Sequence, residues 1–326
     1  MKVLFVGGTG IISSASSRLA LEKGIDLHHL NRGISSSIRR VDGVKNIPAD
    51  IHDEDAVLKA LEDQHFDAVV DWIAFHPDDI RRDIRLFSGR TEQFVFISSA
   101  SAYQTPPESW PITEETPLDN PYWEYSRNKI ACEELLHEAS REFGFPSTVI
   151  RPSHTYDKTL LPVEWGYTVI DRMKKGKKVI VHGDGSSLWT LTHHKDFAVG
   201  LVGLLGRREA IGETYHITSD FWYSWDRIVR ILADAAGVEA DIVHVPSEVL
   251  ARYDAEIGAS LLGDKTHSMI FDNSKIRALV PEFEAKIPFT EGAREIIDWY
   301  EEDVSRQIVD SEANSLMDRI IADWER

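Results

Sequence analysis

Cysteine is nearly absent from this chain: Cys132 is the only one among 326 residues. An internal disulfide is therefore excluded, and a reducing compartment, the cytoplasm, is the natural setting. Cys132 falls in a helical stretch and reads as a small buried side chain rather than a nucleophile. Positive charge is also scarce. Lys and Arg number 36 against 54 Asp and Glu, so the formal charge is −18 and the pI is near 5.1. That balance opposes nucleic-acid binding, which draws affinity from basic groups that displace counterions from phosphates. It leaves room for an anionic small molecule in a local basic pocket. No apolar run reaches the length of a membrane span. The apolar residues 3–6 are too short for a secretory h-region and meet two glycines. No repeat or low-complexity segment interrupts a composition that is 42% hydrophobic, so one large or two modest globular domains are expected.

What is present begins with Val3-Leu4-Phe5-Val6, a run suited to a strand buried on both faces. Gly7-Gly8-Thr9-Gly10-Ile11-Ile12-Ser13 follows, then a helical stretch over 14–23 that stops at Gly24. Strand, glycine-rich turn and helix are the context of a dinucleotide-binding fingerprint. Gly7 permits the tight turn. Gly10 lets a pyrophosphate approach the backbone at the helix N-terminus, with Thr9, Ile11 and Ile12 in the same turn. Ser13 takes the place of the third glycine and is still small enough for close packing of helix on sheet.

Residues 26–30 read as the second strand, whose end should meet the adenosine ribose. An acidic residue there would bind the 2′-hydroxyl of NAD. This chain has Asn31-Arg32, then Gly33 and Ser35-Ser36-Ser37. Arg32 can pair with a 2′-phosphate and the serines can add hydroxyls, so NADP(H) is favoured over NAD(H). Arg39 and Arg40 read as solvent-exposed loop residues. Asp50 ends a third strand beside Ile51; it either accepts from the adenine amino group or caps a helix over 53–64. A fourth strand over 67–71 leads into Trp72-Ile73-Ala74-Phe75, expected to pass over the cofactor. A fifth, over 93–97, ends in Ser98-Ser99-Ala100-Ser101. With helices over 53–64 and 77–88, this alternation predicts an α/β fold with a Rossmann-type doubly wound parallel sheet. The expected division is a dinucleotide-binding domain over 1–160 and a smaller α+β substrate lobe over 161–326, from which about 188–217 returns to the first.

Tyr125 and Lys129 lie on one face of a helix. An ammonium beside a phenol lowers the phenol's pKa, and a tyrosine that ionises near neutral pH can act as general acid or base. Taken in order, the glycine turn, the serine cluster and Tyr125-x-x-x-Lys129 resemble the short-chain dehydrogenase/reductases. The segment Phe96-Ile97-Ser98-Ser99-Ala100-Ser101-Ala102-Tyr103 is similar to the extended, sugar-nucleotide epimerase/dehydratase branch, as are Arg151-Pro152-Ser153-His154-Thr155-Tyr156 and Gly183-Asp184-Gly185. The resemblance spans most of the chain. It implies that Ser99 orients a substrate oxygen and that Tyr125 exchanges a proton with it during hydride transfer at the nicotinamide. Lys129 would lower the Tyr125 pKa and hold the nicotinamide ribose, with Pro152 also at the cofactor. The implied reaction is NAD(P)-dependent oxidation, reduction or epimerisation at a hydroxyl or carbonyl carbon of a sugar-like or other small polar molecule.

Two positions depart from that branch. His154 stands where an asparagine is usual, and Trp189 where an arginine usually meets the diphosphate. Both weaken the case for a nucleotide-diphosphate sugar; the tryptophan either offers an apolar or stacking wall suited to a free sugar or another small carbonyl compound or simply fills core. Ser101, His154 and Trp189 are thus the substrate candidates, with His154 as a second proton carrier, a ligand for a phosphate or carboxylate, or a packed histidine. A second reading is a non-catalytic or RNA-binding member: Ser13, the Asn31-Arg32-Gly33 turn and the two departures resemble the chloroplast stem-loop RNA-binding proteins. The net charge and the intact Ser99, Tyr125 and Lys129 oppose it.

The remaining signals are weaker. His193-His194 has no second ligand pair at helical spacing, so no metal is expected, and Asp196 is expected to cap the helix over 195–205 or to serve an interdomain contact. Lys174-Lys175-Gly176-Lys177-Lys178 reads as a solvated turn. Residues 262–267 read as a loop in which Lys265 and His267 are pocket candidates. Ile308, Val309, Ala313, Leu316, Met317, Ile320, Ile321 and Trp324 share one helix face, expected to dock on its own domain, with a homodimer contact as the alternative.

Overall fold

The computed structural model describes residues 1–33 and 39–326; the Ser35-Ser36-Ser37 hydroxyls invoked for the cofactor lie outside the described residues. β1 (Lys2–Val6) is buried beyond its first residue, as its unbroken apolar run requires. α1 (Ile11–Glu22) starts three residues before the expected position. Gly10 is its N-cap, and the Ser13 hydroxyl accepts from the Gly10 N–H at 2.8 Å. β2 (Asp26–Asn31) and β3 (Lys45–Pro48) follow, then α2 (Glu54–Leu61). Asp53, not Asp50, caps α2, accepting from the Ala56 N–H at 3.0 Å. β4 (Ala68–Asp71), α3 (Pro77–Phe87), β5 (Phe94–Ile97), α4 (Glu124–Phe143) and β6 (Ser147–Pro152) complete the βαβ alternation.

The chain then builds β7 (His154–Tyr156), α5 (Tyr167–Lys174), β8 (Val179–His182), β9 (Leu188–His193) and α6 (His194–Leu204). β10 (Thr214–Ile217) pairs in parallel with β6 and so rejoins the main sheet. The order of that seven-stranded sheet is β10-β6-β5-β4-β1-β2-β3, with every neighbouring pair parallel. The order reverses between β1 and β4, and their carboxyl ends open the crevice where such sheets bind ligands. Period-two alternation feeds two cores. Val3, Phe5, Val70, Val95 and Ile150 face one layer, and Leu4, Val6, Val69, Phe94, Phe96 and Val149 the other.

After β11 (Trp222–Ser224), α7 (Trp225–Ala235) and β12 (Ile242–Val245), two small sheets form, β11-β9-β7 and β12-β8. α8 (Ser247–Tyr253) and α9 (Ala255–Ser260) run into a π-helical turn over Leu261–Lys265, where a plain loop was expected. α10 (Ser274–Leu279), α11 (Phe289–Glu301) and α12 (Ser311–Trp324) end the chain. α12 begins at its Asp310 cap, so Ile308 and Val309 precede it and Trp324 lies exposed at its end. Only Ala313, Met317, Ile320 and Ile321 of that face are buried, the last three beside Ile180 and Val243 of β8 and β12. The lysines of the 174–178 turn pair with carboxylates, Lys174 with Glu301 and Lys177 with Asp318, which ties the turn to α11 and α12.

One buried tie positions the crevice. Glu133 of α4 accepts from Ser98 Oγ at 2.5 Å and receives Arg151 through Nε at 3.0 Å and Nη2 at 2.5 Å. All three residues are buried. The bond set locks α4 to the carboxyl ends of β5 and β6. Removing one partner of such a pair leaves the other charge buried and uncompensated. Glu133→Ala is therefore expected to lose about 3–5 kcal/mol of stability, read by equilibrium urea unfolding.

Candidate active site

The crevice contains two cavities that share the Phe75 side chain as a wall. The first, of about 480 Å³, is lined by Gly7, Thr9, Asn31, Arg32, Asp50, Ile51 and Ile73. Its geometry follows from the glycine turn. Gly7 and Gly8 have φ of +99° and +105°, open to glycine and strained for other residues. A Cβ on Gly8 would lie 2.5 Å from the His29 ring, so Gly8 is also the point of closest approach between turn and strand. Gly10 and Ile11 stand at the start of α1, where backbone N–H groups and the helix dipole favour an anion. Asn31 Oδ1 accepts from the Gly33 N–H at 2.9 Å, which shapes the turn that carries Arg32. Asp50 Oδ1 accepts from the His52 N–H at 3.1 Å. Arg40 is exposed as expected, but Arg39 is not a free loop residue: its Nε pairs with Asp157 at 2.8 Å.

The second cavity, of about 320 Å³, brings together Ser99, Ser101, Tyr125, Lys129, His154 and Trp189, with Ile12, Trp72 and Pro152 also in its wall. Ser99 caps the short 3-10 turn that follows β5 and also lines the cavity. Its hydroxyl is oriented by a chain of three. Ser126 Oγ donates to Ser101 Oγ at 2.8 Å, and the Ser101 and Ser99 hydroxyls share a hydrogen bond at 2.9 Å. The Ser101 N–H adds a bond to Ser99 Oγ at 3.2 Å. Ser99 also hydrogen-bonds the Tyr125 phenol.

Electrostatics here correct one expectation. The Tyr125 phenol is pushed up, to about 12, chiefly because burial disfavours the phenolate; the Ser99 bond offsets part of this and the Asp264 charge adds to it. Lys129 does not bring it down. Its Nζ donates to the carbonyls of Ala74 at 2.7 Å and Ile97 at 2.8 Å and lies 5.7 Å from the Tyr125 ring centroid. Burial lowers the Lys129 pKa to about 8.

His154 is held neutral, its pKa lowered to about 3 by burial and the Lys265 charge, and its Nε2 is buried without a partner. A second proton carrier near neutral pH is thus not what the site holds; a neutral hydrogen-bonding imidazole is. Trp189 both fills core, 5.5 Å from the Trp225 ring, and contributes to the cavity wall. Cys132 is buried and its thiol pushed up to about 12, which fits a packing role.

Other candidates fall elsewhere. His267 lines a separate outer cleft, and Lys265 Nζ lies 3.3 Å from Glu164 Oε1. His193, His194 and Glu295 place ligand-type atoms within 4.8 Å of one another. His193 Nε2 bonds Glu295 at 3.0 Å while its Nδ1 accepts from the Lys195 N–H, so His193 and not Asp196 caps α6. Asp196 instead accepts from the Ile287 N–H at 3.0 Å. The sequence reading missed Asp264, which lines the second cavity from the π-helical turn. The small residue before it, Gly263, was the available signal: a Cβ there would meet Trp123 Cβ at 2.7 Å.

A parallel sheet in this order, with a glycine turn after β1 and the Ser99, Tyr125 and Lys129 side chains gathered past the ends of β4 and β5, defines a Rossmann-type fold of the extended short-chain dehydrogenase/reductase class. The chain belongs to the NAD dependent epimerase/dehydratase family, whose sequence model matches residues 3–218. It is similar to the chloroplast stem-loop binding protein of 41 kDa b of Arabidopsis thaliana, 27% identical over 74% of this chain and 65% of that protein. It is also similar to a UDP-glucose 4-epimerase of Lactobacillus helveticus, 30% identical over 46% of this chain and 51% of the other. The matches thus span about half to two thirds of these relatives. The fold is that of the UDP-glucose 4-epimerase of Bifidobacterium longum in complex with NAD+ and UDP, with a TM-score of 0.76 at 19% identity over 94% of this chain and 100% of that one. Among the described residues, no helix is long and apolar enough to cross a membrane.

The low pKa of Lys129 has a consequence for stability. Its folded value, about 8, lies below the unfolded value of about 10.4. Between the two the unfolded chain binds more protons, so stability due to Lys129 rises with pH across that window and is lost as pH falls through the folded pKa. Relative to Lys129→Met, the wild type should gain on the order of 3 kcal/mol between about pH 8 and 10.4, measured by urea unfolding at each pH.

Proposed function

We propose that the protein is an NAD(P)-dependent enzyme that exchanges hydride at a hydroxyl or carbonyl carbon of a small sugar-like substrate. The observation that carries this is the convergence of Ser99, Tyr125 and Lys129 on one cavity adjoining a glycine-turn cavity suited to a dinucleotide. The residues present fit such a group. The positive-φ glycines give it close backbone approach, the N-terminus of α1 suits its pyrophosphate, and Asp50 and Ile51 stand where an adenine would lie. When bound, the nicotinamide supplies the hydride chemistry. Ser99 positions the substrate oxygen, and Tyr125 gives a proton to it or takes one. Lys129, anchored on the Ala74 and Ile97 carbonyls, would hold the nicotinamide ribose, and its ammonium, released from one carbonyl, would stabilise a phenolate. We further infer a preference for NADP(H), because Arg32 stands at the end of β2 where a carboxylate would select NAD(H).

Tyr125→Phe is expected to reduce turnover by about 10²–10⁴-fold while cofactor affinity, read by calorimetry, stays within about twofold; full activity in that variant overturns the assignment. Arg32→Ala should weaken NADP(H) binding by about 10-fold or more while leaving NAD(H) nearly unchanged; equal losses would remove the preference. The similarity to a chloroplast stem-loop binding protein supports one other reading, RNA binding by the same fold. Salt-sensitive retention of a stem-loop RNA at micromolar protein would favour it, against the net charge of −18.

A further inference from the structure

The catalytic cavity does not end at Tyr125. A second chamber of about 440 Å³ adjoins it, and Trp123, His154 and Asp264 line both. The cations of this joint space are already engaged. Lys265 Nζ pairs with Glu164 and donates to Ser260 Oγ, and Lys129 is held by two carbonyls. Among the described residues, the lining of neither chamber includes an arginine. The unmet groups carry no positive charge. No hydrogen bond from a neighbour offsets the burial of the Asp264 carboxyl, His154 Nε2 is buried without a partner, and so is the indole N–H of Trp189, a residue only 3% exposed.

The place of Asp264 is fixed by the fold. The buried Asn120 amide donates to the Gly263 carbonyl at 2.6 Å and to the Ser101 carbonyl at 2.8 Å, while its oxygen accepts from the Trp123 N–H at 3.1 Å. One side chain thus sets the π-helical turn against both the serine cluster and the N-terminus of α4. Only glycine at 263 allows the turn to press onto Trp123.

A diphosphate placed here would meet the Asp264 carboxylate with no arginine in the lining to neutralise it and with Lys265 already paired to Glu164, and like charges in a confined cavity repel. A molecule rich in hydroxyls supplies the donors that Asp264 lacks, in charge-assisted bonds. We propose that the two chambers take a polyhydroxylated, phosphate-free substrate, with Asp264 accepting from its hydroxyls and His154 completing the polar wall. This rests on the hydride-transfer reading above and names its substrate class.

The test uses the full chain loaded with nicotinamide cofactor. Free hexoses are compared with UDP-glucose and UDP-galactose, following reduced nicotinamide and separating epimers by chromatography. The expected result is turnover of a free hexose with kcat/KM at least about 10-fold above that for either UDP-sugar. In Asp264→Asn the hexose KM should rise about 10-fold or more, with a smaller change in kcat. The pH limb due to Tyr125 should move to lower pH, because a charge that raises the phenol pKa is gone. The variant should also melt no lower than wild type at about pH 8. Burial raises the Asp264 pKa to about 7, so its ionisation weakens folding as pH climbs through that range. Preference for a UDP-sugar, an unchanged hexose KM, or a lower melting temperature in Asp264→Asn overturns the proposal and leaves the Tyr125 assignment standing. Failure to bind any nicotinamide dinucleotide overturns both.

Discussion

The site depends on one carboxylate in the protein interior. Glu133 is taken out of water with Arg151, and its two oxygens hold a guanidinium from β6 and a hydroxyl from the end of β5. Neither the charge nor its partners can leave without exposing the others to an uncompensated interior. The bonds therefore fix the azimuth of α4 against the sheet. Tyr125 and Lys129 precede Glu133 on that helix, Ser99 follows Ser98, and Pro152 and His154 follow Arg151. Ser99, Tyr125, Lys129, Pro152 and His154 are thus near in sequence to the members of this tie, which sets their mutual geometry, whereas Trp189 and Asp264 reach the cavity from elsewhere.

Burial, more than pairing, governs the electrostatics of those groups. It raises the phenol of Tyr125, lowers the ammonium of Lys129 and holds His154 neutral. In each case the uncharged form is favoured. The Tyr125 hydroxyl keeps its proton until a positive partner arrives, and Lys129 keeps its ammonium on two backbone carbonyls. The protein's own residues thus hold a neutral phenol and a neutral imidazole beside an ammonium satisfied by backbone carbonyls.

What could be read from the chain was local. The strand, glycine turn and helix of residues 2–22 follow from a run of neighbouring side chains, and Tyr125 and Lys129 from one helical repeat. Even there Ser13 shifted the helix start, because its hydroxyl bonds the Gly10 N–H. What escaped was built by side chains far apart in sequence. Asp264 reaches the cavity only because Asn120 holds a π-helical turn, and no periodicity marks either residue. Arg39 looked like a loop charge until Asp157 met it. Ile308 and Val309 fitted the apolar stripe of α12, but the Asp310 cap begins the helix after them.

Departures from the pattern of the family are best weighed by what surrounds them. Trp189 alone could be a filled core position, and His154 alone a packed histidine. Asp264 changes their meaning, because it puts an unmet acceptor on the wall that His154 shares. Lys265, the one nearby cation on that turn, faces Glu164 instead of the space between them. A carboxylate that faces a cavity without a partner is costly to desolvate, and its charge weighs on whatever enters beside it. The chamber beyond Tyr125 therefore presents a carboxylate and no arginine on the wall it shares with His154.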